Sequence, residues 1–142
     1  MKKAVAIIGA LALSAVLAQG VRTELVGFAV LPADTFAEGP ASGQYTGTGG
    51  KSDAPRFPSQ PVQGFSAIQF GDAGSYWVMP DNGFGGKYNS IDYLLRLYNI
   101  TLEPKTAQGG AGTVKVNRFI SLRDPDKKVP FFIVNENTRS VC

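Results

Sequence analysis

Residues 64–102 read "GFSAIQFGDAGSYWVMPDNGFGGKYNSIDYLLRLYNITL", and the way this stretch divides decides the fold. Two short apolar runs, Gly64 to Phe70 and Ser75 to Met79, stand on either side of Gly71-Asp72-Ala73-Gly74. Glycine reaches positive φ without a Cβ clash, so this tetrapeptide predicts a tight hairpin loop between two antiparallel strands. A third run, Asp92 to Leu102, follows a glycine-rich loop. A fourth, Thr113 to Leu122 ("TVKVNRFISL"), follows the connection "KTAQGGAGT". Helical periodicity is nearly absent, and short runs broken by Gly, Pro, Asn and Asp predict an all-β domain.

In the third run Leu94, Arg96, Tyr98 and Ile100 alternate with Tyr93, Leu95 and Leu97. Successive side chains of a strand point to opposite faces, so both faces are largely apolar except around Arg96. Four antiparallel strands of this kind describe one blade of a β-propeller, where sheets stack face to face. Outside the four runs, Thr23 to Leu31, stopped by Pro32, predicts an edge strand or a strand that joins a sheet formed elsewhere, and Val129 to Val134 a fifth strand that would begin another blade. No second copy of the four-run pattern exists, so the expected architecture is an incomplete β-propeller: one four-stranded blade plus extra strands. Residues 37–60 hold five glycines and three prolines with few large apolar groups. Such a composition predicts a long irregular loop, either a flexible insert or a binding loop.

The N-terminus reads Met1-Lys2-Lys3 and then an unbroken apolar or small-residue run from Ala4 to Ala18. That is the layout of a secretory signal, too short for the roughly 20 residues of a membrane span. Residues 1–18 are therefore expected to be a signal peptide, with 19–142 an exported, secreted or periplasmic bacterial chain that has no membrane span. Without Lys2 and Lys3, 12 of the 14 basic residues remain against 11 acidic ones, and the formal charge falls from +3 to +1. No basic stripe stands out, which argues against nucleic acid as a partner. The chain has no histidine, and its one cysteine is Cys142. Ser-His-Asp and Cys-His catalysis, histidine-ligated metals and an internal disulfide are all excluded.

The loop Asp81 to Ser90, "DNGFGGKYNS", fails the known phosphate motifs. Gly86-Lys87 is followed by Tyr88 where a P-loop needs Ser or Thr, and Tyr88 also stands where a dinucleotide fingerprint needs glycine. Gly83 comes only two residues after Asp81, which rules out EF-hand spacing. What survives is oxygen chemistry. Asp81 is the one acid between Asp72 and Asp92, with Asn82, Asn89 and Ser90 around it. Carboxylate and amide oxygens suit a divalent cation, calcium being the first candidate, with Asp81 as its ligand. Lys87 can pair with a phosphate, and Asn82 and Asn89 can contact substrate. Asp81-Asn82-Gly83 is equally an ordinary turn signal, and the two readings are compatible. Asp34 and Glu38 are weaker second carboxylates, Ser66 lacks a base, and no catalytic residue is singled out.

Four ordered segments, "VGFAVLPADTFAEGPASG" (26–43), "FPSQPVQGFSAIQF" (57–70), "SYWVMPDNGFGGKYNSIDYLLRLYNI" (75–100) and "FISLRDPDKKVPFFIVNE" (119–136), resemble the N-terminal portion of the esterase-like phytase family. The most specific matches are Gln63-Gly64-Phe65-Ser66, Asp81 to Gly85, and Asn89-Ser90 with Asp92. The resemblance implies a secreted bacterial phosphoesterase-like protein with a propeller-like all-β domain, acting on a small-molecule phosphate or carboxyl ester. Family members continue for several further blades, so "TRSVC" (138–142) is expected to be the tail of a truncated, inactive fragment. The alternative is a non-catalytic exported β-rich binding or scaffold module.

Overall fold

The computed structural model describes residues 23–81, 83–128 and 130. They form six strands: β1 (Phe36–Ala37), β2 (Gln60–Pro61), β3 (Phe65–Phe70), β4 (Ser75–Pro80), β5 (Arg96–Glu103) and β6 (Thr113–Ser121). β3 to β6 make one antiparallel sheet in sequential order, and β1 pairs β2 in a second, two-stranded sheet. The one helical element among the described residues is a 3₁₀ turn at Asp72–Gly74. No helix there is long and apolar enough to cross a membrane. The all-β expectation holds. The expected signal peptide (residues 1–18) and most of the Val129 to Val134 run lie outside the described residues.

The β3–β4 hairpin closes where the glycines stand. Ala73 and Gly74 both take positive φ (53° and 75°), the Gly71 amide donates to the Ser75 carbonyl (2.9 Å), and Ser75 Oγ donates to the Asp72 carbonyl (2.7 Å). Between β5 and β6, Gly110 has φ +113°, and a Cβ there would collide with the Pro104 carbonyl. Only glycine fits that connection.

Cross-strand partners set the two faces. Ile68, Val78, Tyr98 and Phe119 form one row across the sheet, and Phe70, Tyr76, Ile100 and Val116 the next. Val78, Tyr98 and Ile100 are buried with Val62, and Leu31, Ala37, Leu102 and Val114 pack against that cluster. Each fully buried aliphatic side chain contributes roughly 1.5–3 kcal/mol, so this small cluster is the main apolar support of the sheet. The opposite face carries Gln69, Trp77, Asn99 and Arg118 in one row. There Asn117, the extra residue of a bulge on β6, donates to Asn99 Oδ1 (2.9 Å) and Thr101 Oγ1 (2.8 Å).

Arg96, the interruption in the apolar face, is only 1% exposed. Its guanidinium carbon lies 3.8 Å from the centre of the Phe119 ring, Nε donates to Ser121 Oγ (3.2 Å), and NH1 donates to the Glu38 carbonyl (2.8 Å). Stacking and directional bonds make burial of this cation tolerable.

Two expected strands differ. Thr23 to Leu31 makes isolated bridges at Phe28–Lys105 and Val30–Thr113 rather than a continuous strand. The third run begins its ladder at Arg96, not Asp92, because side chains satisfy the preceding backbone: the Leu94 amide donates to Gln60 Oε1 at 2.8 Å. Residues 37–60 are mostly irregular but closely tied. Beyond the β1–β2 pair, bridges join Ser42 to Phe57 and Tyr45 to Lys51, nesting the segment into an imperfect hairpin.

Candidate functional site

The loop that follows β4 begins with Asp81 exposed to solvent. Asn82, one of the expected substrate contacts, lies outside the described residues. Gly83 then takes φ +46°, and its carbonyl accepts from Gln63 Nε2 (2.8 Å). A Cβ at Gly83 would stand 2.7 Å from Ser90 Oγ, so any other residue there is strained in its backbone and crowds Ser90. The Phe84 amide donates to Ser90 Oγ (2.9 Å), Asn89 Nδ2 donates to the Phe84 carbonyl (2.8 Å), and the Ser90 amide donates to the Gly86 carbonyl (3.1 Å). Asn89 and Ser90 thus hold the loop's own shape. Lys87 is exposed, with its ammonium 5.9 Å from the Tyr88 ring centre.

Aromatic packing fastens this loop to the 37–60 segment. Phe84 stacks on Phe57 with centroids 5.3 Å apart and meets Tyr93 edge-on at 5.2 Å. The Phe57 ring also contacts Phe36 at 6.0 Å. These rings pack the joint between two loops.

A second anchor is polar and nearly enclosed. Asp92 is 6% exposed, and its Oδ2 accepts the Gln44 amide at 2.8 Å. Gln60, equally buried, donates from Nε2 to the carbonyls of Pro40 (2.9 Å) and Asp92 (3.0 Å) while accepting from Leu94. Among the described residues, Asp92 Oδ1 and the Tyr93 hydroxyl are enclosed without a hydrogen-bond partner. Burial pushes the Tyr93 phenol well above its ordinary range; neighbouring Tyr98 adds to this and Arg96 partly opposes it. Spacing alone does not mark Asp92 or Gln60 as a unit, since Gln60 sits 32 residues away in a segment that composition reads as irregular.

Asp81, Lys87 and Asn89 therefore belong to one exposed loop, but no group of three or more metal-ligating side chains of His, Cys, Asp or Glu forms among the described residues. A shallow cavity of about 450 Å³ lies elsewhere, between Phe36–Glu38 and Val116–Phe119. Asn99-Ile100-Thr101 has the Asn-x-Thr form of a glycosylation acceptor, but Asn99 is buried in the folded chain and its Nδ2 donates to Ser75 Oγ at 3.0 Å.

The fold defines an all-β protein with its loops hung on two antiparallel sheets. Residues 60–135 match the family model Phytase-like, described as esterase-like activity of phytase. The match spans more than half of the 142 residues and takes in β2 to β6 with the Asp81 loop, and the chain belongs to this family. Comparison with curated proteins gives no match, and comparison with solved structures gives none.

Proposed function

We propose that this chain is part of an exported hydrolase that cleaves small-molecule phosphate or carboxyl esters with the help of a divalent cation, calcium first among candidates. Family membership carries this reading, because the matched residues include the whole loop from Asp81 to Ser90. In it the four-stranded sheet is one blade of a β-propeller, and the loop at the end of β4 faces the substrate. Asp81 is the cation ligand, Lys87 pairs with the ester's negative charge, and Asn82 and Asn89 contact substrate. A hard cation bound by oxygen ligands would supply Lewis-acid stabilisation of an ester oxygen in a chain without histidine. The residues named form a partial site, so this chain by itself is expected to turn over substrate negligibly.

The test is hydrolysis of a generic phosphomonoester and a generic carboxyl ester, with and without EDTA, by this chain and by the longest open reading frame that contains it. Metal-dependent turnover by the longer protein, reduced about a hundredfold or more by Asp81→Asn, is the expected result; this range is typical for loss of one electrostatic contact to a transition state. Absence of metal-dependent hydrolysis of either ester by the longer protein would remove the reading.

A binding or scaffold module is the second reading. It is favoured by the use of Asn89 and Ser90 to lock their own loop rather than to present free groups. It requires Asp81→Ala and Lys87→Ala to leave function intact while changes in residues 37–60 abolish it.

A further inference from the structure

Asp81 stands between two points of the chain that are both held from the β3 side of the hairpin. Before it, Pro80 at the end of β4 pairs with Phe65 at the start of β3. After it, the Gly83 carbonyl accepts Gln63 Nε2 at 2.8 Å. Gln63 follows the fully buried Val62 and precedes Gly64, whose φ of +62° turns the chain into β3. Its backbone is therefore anchored by core packing on one side and by strand pairing on the other. The peptide unit between Gly83 and Phe84 is gripped at both polar ends, because its N–H donates to Ser90 Oγ at 2.9 Å. Such a unit cannot turn over without leaving one of its obligatory hydrogen bonds unmade. Ser90 belongs to the loop and moves with it, so Gln63 is the grip from outside. The bonds of Phe84 to Asn89 and Phe57 lie on the far side of Gly83 from Asp81. Asp81 is itself exposed, and its placement depends on these two points rather than on packing of its own side chain.

We propose that Gln63 is a positioning residue for the Asp81 loop: its bond to Gly83 fixes where the Asp81 carboxylate stands relative to Lys87 and Asn89. The consequence for turnover rests on the cation-and-ester reading above, whereas the clamp is a property of this chain. An amide suits the task. Its N–H donates at any pH, whereas a carboxyl group of the same size donates only while it is protonated.

The experiment has two arms. In the full 142-residue chain, amide hydrogen exchange is followed by NMR in the parent, Gln63→Leu and Gln63→Glu. Gln63→Leu keeps the size and loses the donor. Its Phe84 amide should exchange about fivefold faster, the effect of one net hydrogen bond, while the Val78 and Tyr98 amides of β4 and β5 stay as in the parent. Gln63→Glu should match the parent below about pH 4, where the neutral acid donates, and the leucine variant above about pH 6, where the carboxylate cannot. A glutamine that merely fills space predicts no such crossover. In the longest open reading frame, Gln63→Leu should lower kcat about tenfold with KM within about twofold, because misplacing a reacting group weakens the transition state more than binding. Since Gln63 acts through Asp81, it should add nothing to the loss caused by Asp81→Asn. Unchanged Phe84 exchange in Gln63→Leu, a pH-independent Gln63→Glu, or additive losses in the double variant would each overturn the proposal. A longer protein inactive toward both esters removes the hydrolase reading, and the exchange arm then decides the clamp by itself.

Discussion

The Asp92 carboxylate accepts the backbone amide of Gln44 at 2.8 Å, joining the loop before β5 to a segment 48 residues earlier. Through this bond the glycine-rich excursion acquires a fixed position without an apolar core of its own. Asp92→Ala leaves a partly buried amide unpaired, which costs about 1–3 kcal/mol. Urea titration should show that loss, and limited proteolysis should cut first within residues 43–56; Asp92→Asn, which keeps an acceptor oxygen, should recover most of it.

Gln60 makes three hydrogen bonds from a nearly fully buried side chain. At about 1 kcal/mol each, Gln60→Ala should cost about 3 kcal/mol. Gln60→Glu keeps the acceptor for Leu94 but cannot donate when ionised, so its denaturation midpoint should fall close to that of the alanine variant. A midpoint equal to the parent's would mean that the network contributes nothing net.

Gly83 sits at positive φ with no room for a methyl group beside Ser90. Gly83→Ala should cost about 1–3 kcal/mol through backbone strain and crowding. Because Ser90 Oγ is the nearest atom, Ser90→Ala should relieve part of that cost, and a double-mutant cycle measures the coupling. Strict additivity would show that the loop does not hold the packing described.

Tyr93 gives the pH dependence a sign. Its phenol ionises less readily in the folded chain than its ordinary value near 10, chiefly through burial. The unfolded chain thus loses that proton first, so the contribution is fully present below pH 10 and is lost as alkalinity rises through the folded value. Tyr93→Phe should flatten the decline in stability above pH 10. Since the hydroxyl has no partner among the described residues, the same variant should cost little or stabilise at pH 7. A steep loss at pH 7 would point to a bond that the hydroxyl does make.

Arg96 tests how a buried cation is held. Arg96→Lys keeps the charge but loses the planar stack on Phe119 and the fork to Ser121 and Glu38. A point charge cannot reproduce that geometry. A loss above about 2 kcal/mol in thermal or chemical unfolding is expected, within the range for disturbed buried charge pairs and hydrogen bonds.

Residue order alone dictates the four-stranded sheet, because period-two apolar runs and the glycines between them are local signals. Gly71 to Gly74 has to turn, and Tyr98 and Ile100 have to share a face. It also determined the excluded chemistry, since a chain without histidine cannot place one anywhere. The folded arrangement sets where β5 begins, for the bond that replaces strand pairing at Leu94 comes from Gln60, 34 residues away. It likewise decided that residues 37–60 are held in place. Composition reports how much apolar surface a segment can bury, but Asp92, Gln60 and Phe84 fix this one through hydrogen bonds and ring contacts between residues far apart in the chain. Of the candidate site, Asp81 was legible as the loop's acid, while the use of Asn89 and Ser90 to close that loop was not, because an amide or hydroxyl looks the same in sequence whether it faces a ligand or its own backbone.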